Sequence, residues 1–201
     1  MKRIEMKALL DSREHLSALR DLVADGGIVA IPTETFYGLA VDPGLNEAVS
    51  RLFAVKGRPS EKALPVLFAE PGDLDRLGVE AAPAVKERFL QIWPAALTVI
   101  FSTRAPLACS GGDRSLAVRM PAHPGLRSLL RVTGPLTGTS ANPSGMPPLA
   151  DPNEVALAFG DSIDLLVDDG PCPGHRPSTL VDARLEPPRV LREGAYRFSP
   201  A

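Results

Sequence analysis

The stretch from Ile28 to Pro59 reads IVAIPTETFYGLAVD and, after a short helical pattern, ends in FAVKGRP. Ile28–Ile31 is a run of apolar, mostly β-branched residues, which predicts a buried strand. Pro32 ends this strand because proline has no backbone N–H for the sheet, and Leu39–Val41 predicts a second strand. The residues between them, Thr33 to Thr35, bring two hydroxyls and a carboxylate to the end of a buried strand, where α/β proteins commonly bind ligands.

Two cations close this stretch. Lys56 and Arg58 flank Gly57, which is placed to end a helix that begins near Asn46. Pro59 stiffens the exit, so the two cations form a fixed pair that suits phosphate oxygens. The alternative is a helix C-terminus whose basic residues compensate the helix dipole. Taken alone, Lys56 and Arg58 favour this alternative.

The composition excludes several classes of protein. The chain has 201 residues, of which 44% are hydrophobic and 23% charged, and this suffices for one domain with a sizeable core. The net charge of −2 argues against a protein that coats nucleic acid through bulk charge. The two cysteines and three histidines are scattered, with no zinc or iron–sulfur pattern. No stretch resembles a signal peptide or a membrane span, so we expect a soluble cytoplasmic protein with no membrane partner.

Strands and helices are interleaved irregularly along the chain. Ile4–Leu9 is predicted as an edge strand, Asp11 or Ser12 as the cap of the first helix, and Asn46 as the cap of the next. Further strands are predicted at Leu64–Phe68, Leu97–Phe101, Leu116–Met120, Pro135–Gly138, Leu165–Val167, Thr179–Val181 and Val190–Leu191. Since several strand pairs have no helix between them, the pattern favours an α+β fold in which helices pack on a mixed β-sheet.

Four later polar features each have a functional and a structural interpretation. Ser140-Ala141-Asn142 follows an apolar strand and could hold phosphates or a sugar, but Ser and Asn are also ordinary turn residues. Arg119 lies alone in an apolar strand, so it either faces solvent or binds an anion such as a carboxylate. Ser178-Thr179 opens a strand and Arg192-Glu193-Gly194 ends the last one. None of the four decides the matter alone, and no P-loop or dinucleotide motif is present.

Seven short motifs occur in order over most of the chain: PTETFYGLA, KGRPSEK, WPAALT, VRMP, TSANPSG, STLVD and LREGA. Together they make the chain, from about Gly26 to Gly194, similar to the YrdC family of threonylcarbamoyl-AMP synthases in its short, single-domain form. The most specific part is the pair of segments 56–58 and 140–142, which resembles the family's KxR…SxN signature. The chain departs from the family at 95–96 and 62–64, where Gly-Pro and Lys/Asn-Pro-Leu are usual.

The resemblance implies an enzyme that joins L-threonine, bicarbonate and ATP into threonylcarbamoyl-adenylate and releases pyrophosphate. Other proteins would then transfer the threonylcarbamoyl group to tRNA, with at most weak contact between this chain and RNA. The fold implied is a twisted mixed sheet with a concave basic cavity, in one catalytic domain over residues 1–201 without the C-terminal domain of the family's long form. Mg²⁺ is expected with ATP, held mainly by the phosphates and by no metal site of the protein.

The resemblance also implies the site residues. Lys56 and Arg58 are expected to be catalytic, by neutralising charge on the phosphates. If both are exposed in the cavity, their removal should barely change stability. The expected ATP-binding residues are Lys56, Arg58, Ser60, Ser115, Ser140, Asn142 and Arg192. The expected threonine-binding residues are Thr33, Thr35, Arg119, Thr137 and Ser178, with Arg119 on the threonine carboxylate. From their turn-forming composition, residues 144–152 and 171–177 are predicted to be mobile, the former as a lid over the nucleotide.

Two other functions share parts of this pattern. A basic concavity in the same fold could bind double-stranded RNA or tRNA without catalysis, but the acidic composition and the lack of clustered aromatic residues argue against it. The carbamoyl-transfer domain of hydrogenase maturation shares the KxR…SxN signature. That domain normally lies beside zinc-finger-like cysteine motifs, which this sequence lacks.

Overall fold

The computed structural model describes residues 1–57 and 63–199. The strands are β1 (Lys2–Glu5), β2 (Val29–Ile31), β3 (Gly38–Ala40), β4 (Val66–Leu67), β5 (Val79–Glu80), β6 (Leu97–Thr103), β7 (Ser115–Arg119), β8 (Leu136–Thr137), β9 (Thr139–Ser140), β10 (Leu165–Asp168), β11 (Thr179–Asp182) and β12 (Arg189–Arg192). The helices are α1 (Met6–Leu10), α2 (Arg13–Ala24), α3 (Asn46–Lys56), α4 (Asp73–Arg76), α5 (Pro83–Ile92), α6 (Pro124–Thr133) and α7 (Pro152–Phe159), with a 3₁₀ turn at Ala108–Ser110. None of the described helices is long and apolar enough to cross a membrane.

Among the described residues, the first sheet has five strands in the order β1-β10-β2-β3-β9. Strands β1, β10 and β2 run parallel, whereas β3 is antiparallel to both of its neighbours. Strand β2 is therefore an interior strand, and all three of its residues are buried. The polar loop that carries Thr33 to Thr35 leaves its carboxyl end, between β2 and β3.

In the described part of the chain, the second sheet has seven strands, six of them in the order β12-β11-β6-β7-β4-β8, with β5 paired to β6. It is also mixed, since β6 runs parallel to β11 and antiparallel to β7. One segment belongs to both sheets, because Gly138 alone separates β8 in the second sheet from β9 in the first. A Cβ at Gly138 would lie 2.5 Å from the Leu67 side chain, so a larger residue would displace Leu67 where the chain crosses.

The core consists of two clusters of buried apolar residues, and the first sheet contributes to both. Ala30 belongs to one cluster, whereas Val29 and Ile31 belong to the other. Successive side chains of a strand point to opposite faces, so β2 packs on both of its sides. This explains why its sequence is an unbroken apolar run and not an alternating one. The predicted α+β class with mixed pairing is confirmed, and the strands divide between two sheets.

The start of the chain differs from the prediction. Only Lys2–Glu5 forms a strand, and Met6–Leu10 is a helix, so the edge-strand prediction for Ile4–Leu9 was wrong beyond Glu5. The helix buries Met6 and Leu9, which lie three residues apart and therefore on one helical face. These two side chains belong to the cluster formed with α2 and α6. Tertiary packing thus decides the conformation of this short segment.

The helix caps were predicted with mixed success. Ser12 caps α2, as one of the two candidates, because its hydroxyl accepts from the N–H of His15 at 3.2 Å. Asn46 does not cap α3: it is the first helical residue, and Leu45 occupies the cap position without a side-chain hydrogen bond. Gly57 ends α3 with φ of 58°, a left-handed conformation that favours glycine, as predicted.

Candidate active site

Lys56 joins the two halves of the KxR…SxN pattern. It lies in the last turn of α3, and its ammonium donates to the backbone carbonyl oxygens of Ser140 and Asn142, the latter at 2.9 Å. The Lys56 carbonyl oxygen in turn accepts from the N–H of Ser144 at 2.9 Å. These motifs are far apart in sequence, and the structure brings them into one hydrogen-bonded cluster.

The Asn142 side chain closes the turn that follows β9. Its amide group donates to the carbonyl oxygens of Pro143 at 3.0 Å and Met146 at 2.6 Å. Its Oδ1 accepts from the Ser140 hydroxyl at 2.6 Å. The interpretation of this motif as a turn is therefore correct. The same turn leaves Ser140 exposed, where its hydroxyl can also meet a ligand.

Lys56 itself is buried, with only 3% of its surface exposed, so the condition under which its removal should barely change stability is not met. A buried ammonium is tolerated only when its donors are paired, and the carbonyl oxygens of Ser140 and Asn142 supply partners. Lys56 therefore has a structural role in holding this loop. Arg58 and Ser60 lie outside the described residues, and their assignments stay predictions.

Arg119 forms a second cluster, at the carboxyl end of β7. Its guanidinium Nη2 contacts Oε1 of Glu34, which lies in the loop after β2. The side chains are 8% and 18% exposed, respectively. Of the two interpretations of Arg119, solvent exposure is therefore wrong and an anionic partner is present. The partner is a residue of the protein that the sequence analysis did not assign.

Arg192 and Ser178 lie close to this pair. The Arg192 guanidinium donates to the Ser178 carbonyl oxygen at 2.8 and 3.2 Å, and the Ser178 hydroxyl lies 2.8 Å from that of Thr98. Burial and the nearby positive charge of Arg119 lower the pKa of Arg192. The two guanidinium groups are therefore close enough to repel each other. Together with Glu34, these arginines form a group with one excess positive charge, which suits an anionic ligand.

Gly194 allows the Ser178 segment to pack closely. A Cβ on Gly194 would lie 2.3 Å from the Pro177 carbonyl oxygen and 2.5 Å from backbone atoms of Ser178 and Thr179. Its N–H donates to the Thr179 hydroxyl at 3.0 Å. The motif that ends β12 therefore fixes the start of β11 and, with it, the position of Ser178.

Thr33 and Thr35 stiffen the loop that carries Glu34. The Thr33 hydroxyl donates to the Phe36 carbonyl oxygen at 2.8 Å, accepts from the N–H of Thr35 at 3.0 Å and lies 2.9 Å from the Thr35 hydroxyl. The N–H of Gly174 donates to the Thr35 carbonyl oxygen at 2.8 Å, which packs a second loop against the first. Both threonines are buried, so these contacts hold Glu34 in position, and threonine binding by them stays a prediction.

Thr137 and Ser115 have different surroundings. Thr137 is fully buried, and its hydroxyl accepts from the N–H of Val41 at 3.0 Å, which ties the two sheets together. Ser115 begins β7 and Arg119 ends it, so the four intervening steps separate them by about 13 Å along the strand. The structure thus places Ser115 well away from Arg119. The assignments of Thr137 to threonine binding and of Ser115 to ATP binding stay predictions.

The site thus combines fixed arginines, hydroxyl groups and a loop held by a lysine in an α+β protein, and guanidinium and hydroxyl groups of this kind suit anionic ligands. The family model Sua5_yciO_yrdC, described as "Telomere recombination", matches residues 21–194. The chain belongs to this family, which confirms the resemblance found in its motifs.

Curated relatives and solved structures support the same conclusion. The chain is 36% identical over 162 residues to a threonylcarbamoyl-AMP synthase of Coxiella burnetii (strain RSA 493 / Nine Mile phase I), covering 79% of this chain and 87% of that protein. It is 41% identical over 162 residues to a threonylcarbamoyl-AMP synthase of Halorhodospira halophila, covering 79% and 85%. The P. abyssi Sua5 structure complexed with L-threonine is similar, with a TM-score of 0.85 and 30% identity. That match covers 96% of this chain and 57% of the Sua5 chain, so this chain spans less than two thirds of Sua5.

Proposed function

We propose that this protein synthesises threonylcarbamoyl-adenylate from L-threonine, bicarbonate and ATP and releases pyrophosphate, as a nucleotidyltransferase of tRNA modification. The observation that carries the proposal is the identity of 36% and 41% to two threonylcarbamoyl-AMP synthases, each over 79% of this chain. The Lys56 and Arg119 clusters both lie inside the matched family region, residues 21–194.

The chemistry asks for charge neutralisation and positioning more than for a protein nucleophile. A carbamate oxygen of the substrate attacks the α-phosphorus of ATP, the bond to the β-phosphate oxygen breaks, and pyrophosphate leaves. The Ser140 hydroxyl and the Arg192 guanidinium are polar groups available for phosphate oxygens. Lys56 keeps the turn that carries Ser140 in place and adds positive charge beneath it. By the family resemblance, Arg58, Ser60 and Ser115 complete the nucleotide site.

The amino-acid substrate is assigned to the second cluster. Arg119 carries a planar guanidinium suited to a carboxylate; its Nε lacks a hydrogen-bond partner within the described part of the chain, and its Nη2 contacts the Glu34 carboxylate. We infer that the threonine carboxylate binds there. Magnesium enters as part of the ATP substrate, coordinated mainly by phosphate oxygens. We also propose that the product passes to tRNA threonylcarbamoyl-transfer proteins in the cytoplasm.

The deciding experiment is pyrophosphate release from ATP by the purified protein. Release should require both L-threonine and bicarbonate, and mass spectrometry should detect threonylcarbamoyl-adenylate. Reactions that lack either co-substrate are the controls. Release that proceeds equally well without threonine or without bicarbonate would refute the proposed function, as would no release at all.

A further inference from the structure

Glu34 and Arg119 form a buried ion pair whose hydrogen-bonding capacity is mostly unused. Both carboxylate oxygens of Glu34 and two guanidinium nitrogens of Arg119, Nε and Nη2, are buried and form no further hydrogen bond within residues 1–57 and 63–199. Oε1 of Glu34 and Nη2 of Arg119 contact each other as an ion pair. Oε2 of Glu34 and Nε of Arg119 therefore lack a partner among the described residues, and the two paired atoms have capacity left for another.

Such an arrangement is unfavourable unless something else uses it. Buried polar groups in folded proteins are nearly always hydrogen-bonded, and a buried ion pair is stabilising only when its remaining donors and acceptors are satisfied. Here the surrounding loop is well ordered by Thr33 and Thr35, which bond to each other and to the backbone and not to Glu34. The unused groups of Glu34 and Arg119 are thus held in position for a partner from outside the chain.

A partner that carries both signs of charge fits these groups best. An anion alone would pair with Arg119 but would face the Glu34 carboxylate, and a cation alone would face Arg119. A zwitterion satisfies both, because its carboxylate can meet the guanidinium while its ammonium meets the carboxylate. Free α-amino acids are zwitterions of this kind.

We propose that Glu34 binds the α-ammonium group of the substrate while Arg119 binds its α-carboxylate. This inference rests on the proposed function. It gives Glu34 the role of selecting substrates that carry an amino group. After carbamoylation the nitrogen keeps one N–H, which the Glu34 carboxylate still accepts. The same contact therefore orients the carbamate toward ATP.

Two ligands separate this role from a purely structural one. L-threonine carries carboxylate, hydroxyl and ammonium groups, whereas (R)-3-hydroxybutyrate keeps the first two and lacks the nitrogen. Isothermal titration calorimetry should show that the wild-type protein binds threonine at least about tenfold more tightly than (R)-3-hydroxybutyrate, since charged hydrogen bonds are the strong ones. Equal affinities would overturn the inference without the use of any variant.

The variant Glu34→Gln sharpens the test. It should weaken threonine binding about 10- to 100-fold and leave (R)-3-hydroxybutyrate binding unchanged or tighter, because the competing carboxylate beside Arg119 is removed. The matched control is Glu70→Gln, which removes the carboxylate of an exposed pair with Arg131 and should change neither affinity.

An equal loss of both ligands in Glu34→Gln would mean that Glu34 only holds Arg119, and the inference would be wrong. Thermal melting of each variant shows whether it is folded. If Glu34→Gln does not fold, the comparison of the two ligands on the wild-type protein still tests the inference. Threonine-dependent pyrophosphate release by the wild type is measured in parallel. If that release is present but the preference for the amine is absent, the inference fails and the proposed function stands.

Discussion

The burial of Lys56 predicts that its removal damages stability as well as activity. The substitution Lys56→Met keeps the aliphatic stem and removes the ammonium. It leaves the Ser140 and Asn142 carbonyl oxygens without this donor. Hydrogen bonds to charged groups contribute about 1.5 to 3 kcal/mol each, and part of this is offset because an ammonium no longer has to be buried. We therefore expect a loss of about 2 to 4 kcal/mol in the free energy of unfolding.

Urea denaturation followed by circular dichroism measures this change. For a chain of this length, the expected loss also lowers Tm by about 4 to 16 °C. The same substitution at Lys86, whose ammonium pairs with the exposed Asp75 at the surface, is the control and should cost less than about 1 kcal/mol. Pyrophosphate release by Lys56→Met should fall about 10²-fold or more at a temperature where the variant is folded. Equal unfolding midpoints for the two variants would refute the structural role of Lys56, and near-normal turnover would refute its role at the phosphate site.

Three further outcomes are expected. Arg119→Lys should raise the KM for threonine by about tenfold or more, because lysine lacks the guanidinium fork; a rise in the KM for ATP alone would assign Arg119 to the nucleotide. Hydrogen exchange with ATP plus threonine should protect the backbone N–H groups of residues 144–146, since the other residues of 143–148 are prolines and have none; unchanged exchange there would show that this segment is no lid. Burial raises the thiol pKa of Cys109 to about 12 and of Cys172 to about 11. At pH 8, iodoacetamide should thus react about 10²-fold more slowly with Cys172 and about 10³-fold more slowly with Cys109 than with a free thiol, and faster with both as the pH rises; rapid alkylation at pH 8 would contradict this.

The exchange prediction is narrower than the loop boundaries drawn from composition. The turn residues of 144–152 indicated one mobile segment, but in the structure the second half of this segment is hydrogen-bonded to neighbouring parts of the chain. The N–H of Leu149 donates to the Ala141 carbonyl oxygen at 3.0 Å, and its own carbonyl accepts from the N–H of Tyr37 at 3.0 Å. Asp151 caps α7 by accepting from the N–H of Asn153 at 2.7 Å. Movement is therefore expected before Leu149, where residues 143–147 are exposed.

Local chemistry was enough to predict much of the architecture. The apolar run at Ile28–Ile31 indicated a buried strand, and Gly57 indicated the end of α3; both are confirmed. In each case the signal lies within a few residues, because side-chain periodicity and glycine's access to positive φ are local properties. The ordered motifs between Gly26 and Gly194 likewise indicated the family, since they are read directly from the chain.

Tertiary structure alone decided the features that depend on distant partners. Met6–Leu10 becomes a helix because Met6 and Leu9 find a core with α2 and α6, although its short apolar pattern also fits a strand. Lys56 is buried because two carbonyl oxygens from the other half of the signature surround its ammonium. Glu34 becomes a candidate ligand-binding residue only through its ion pair with Arg119. Arg119 lies in the second sheet, whereas Glu34 follows a strand of the first. No local pattern encodes these contacts, because burial and pairing depend on which segments the two sheets bring together.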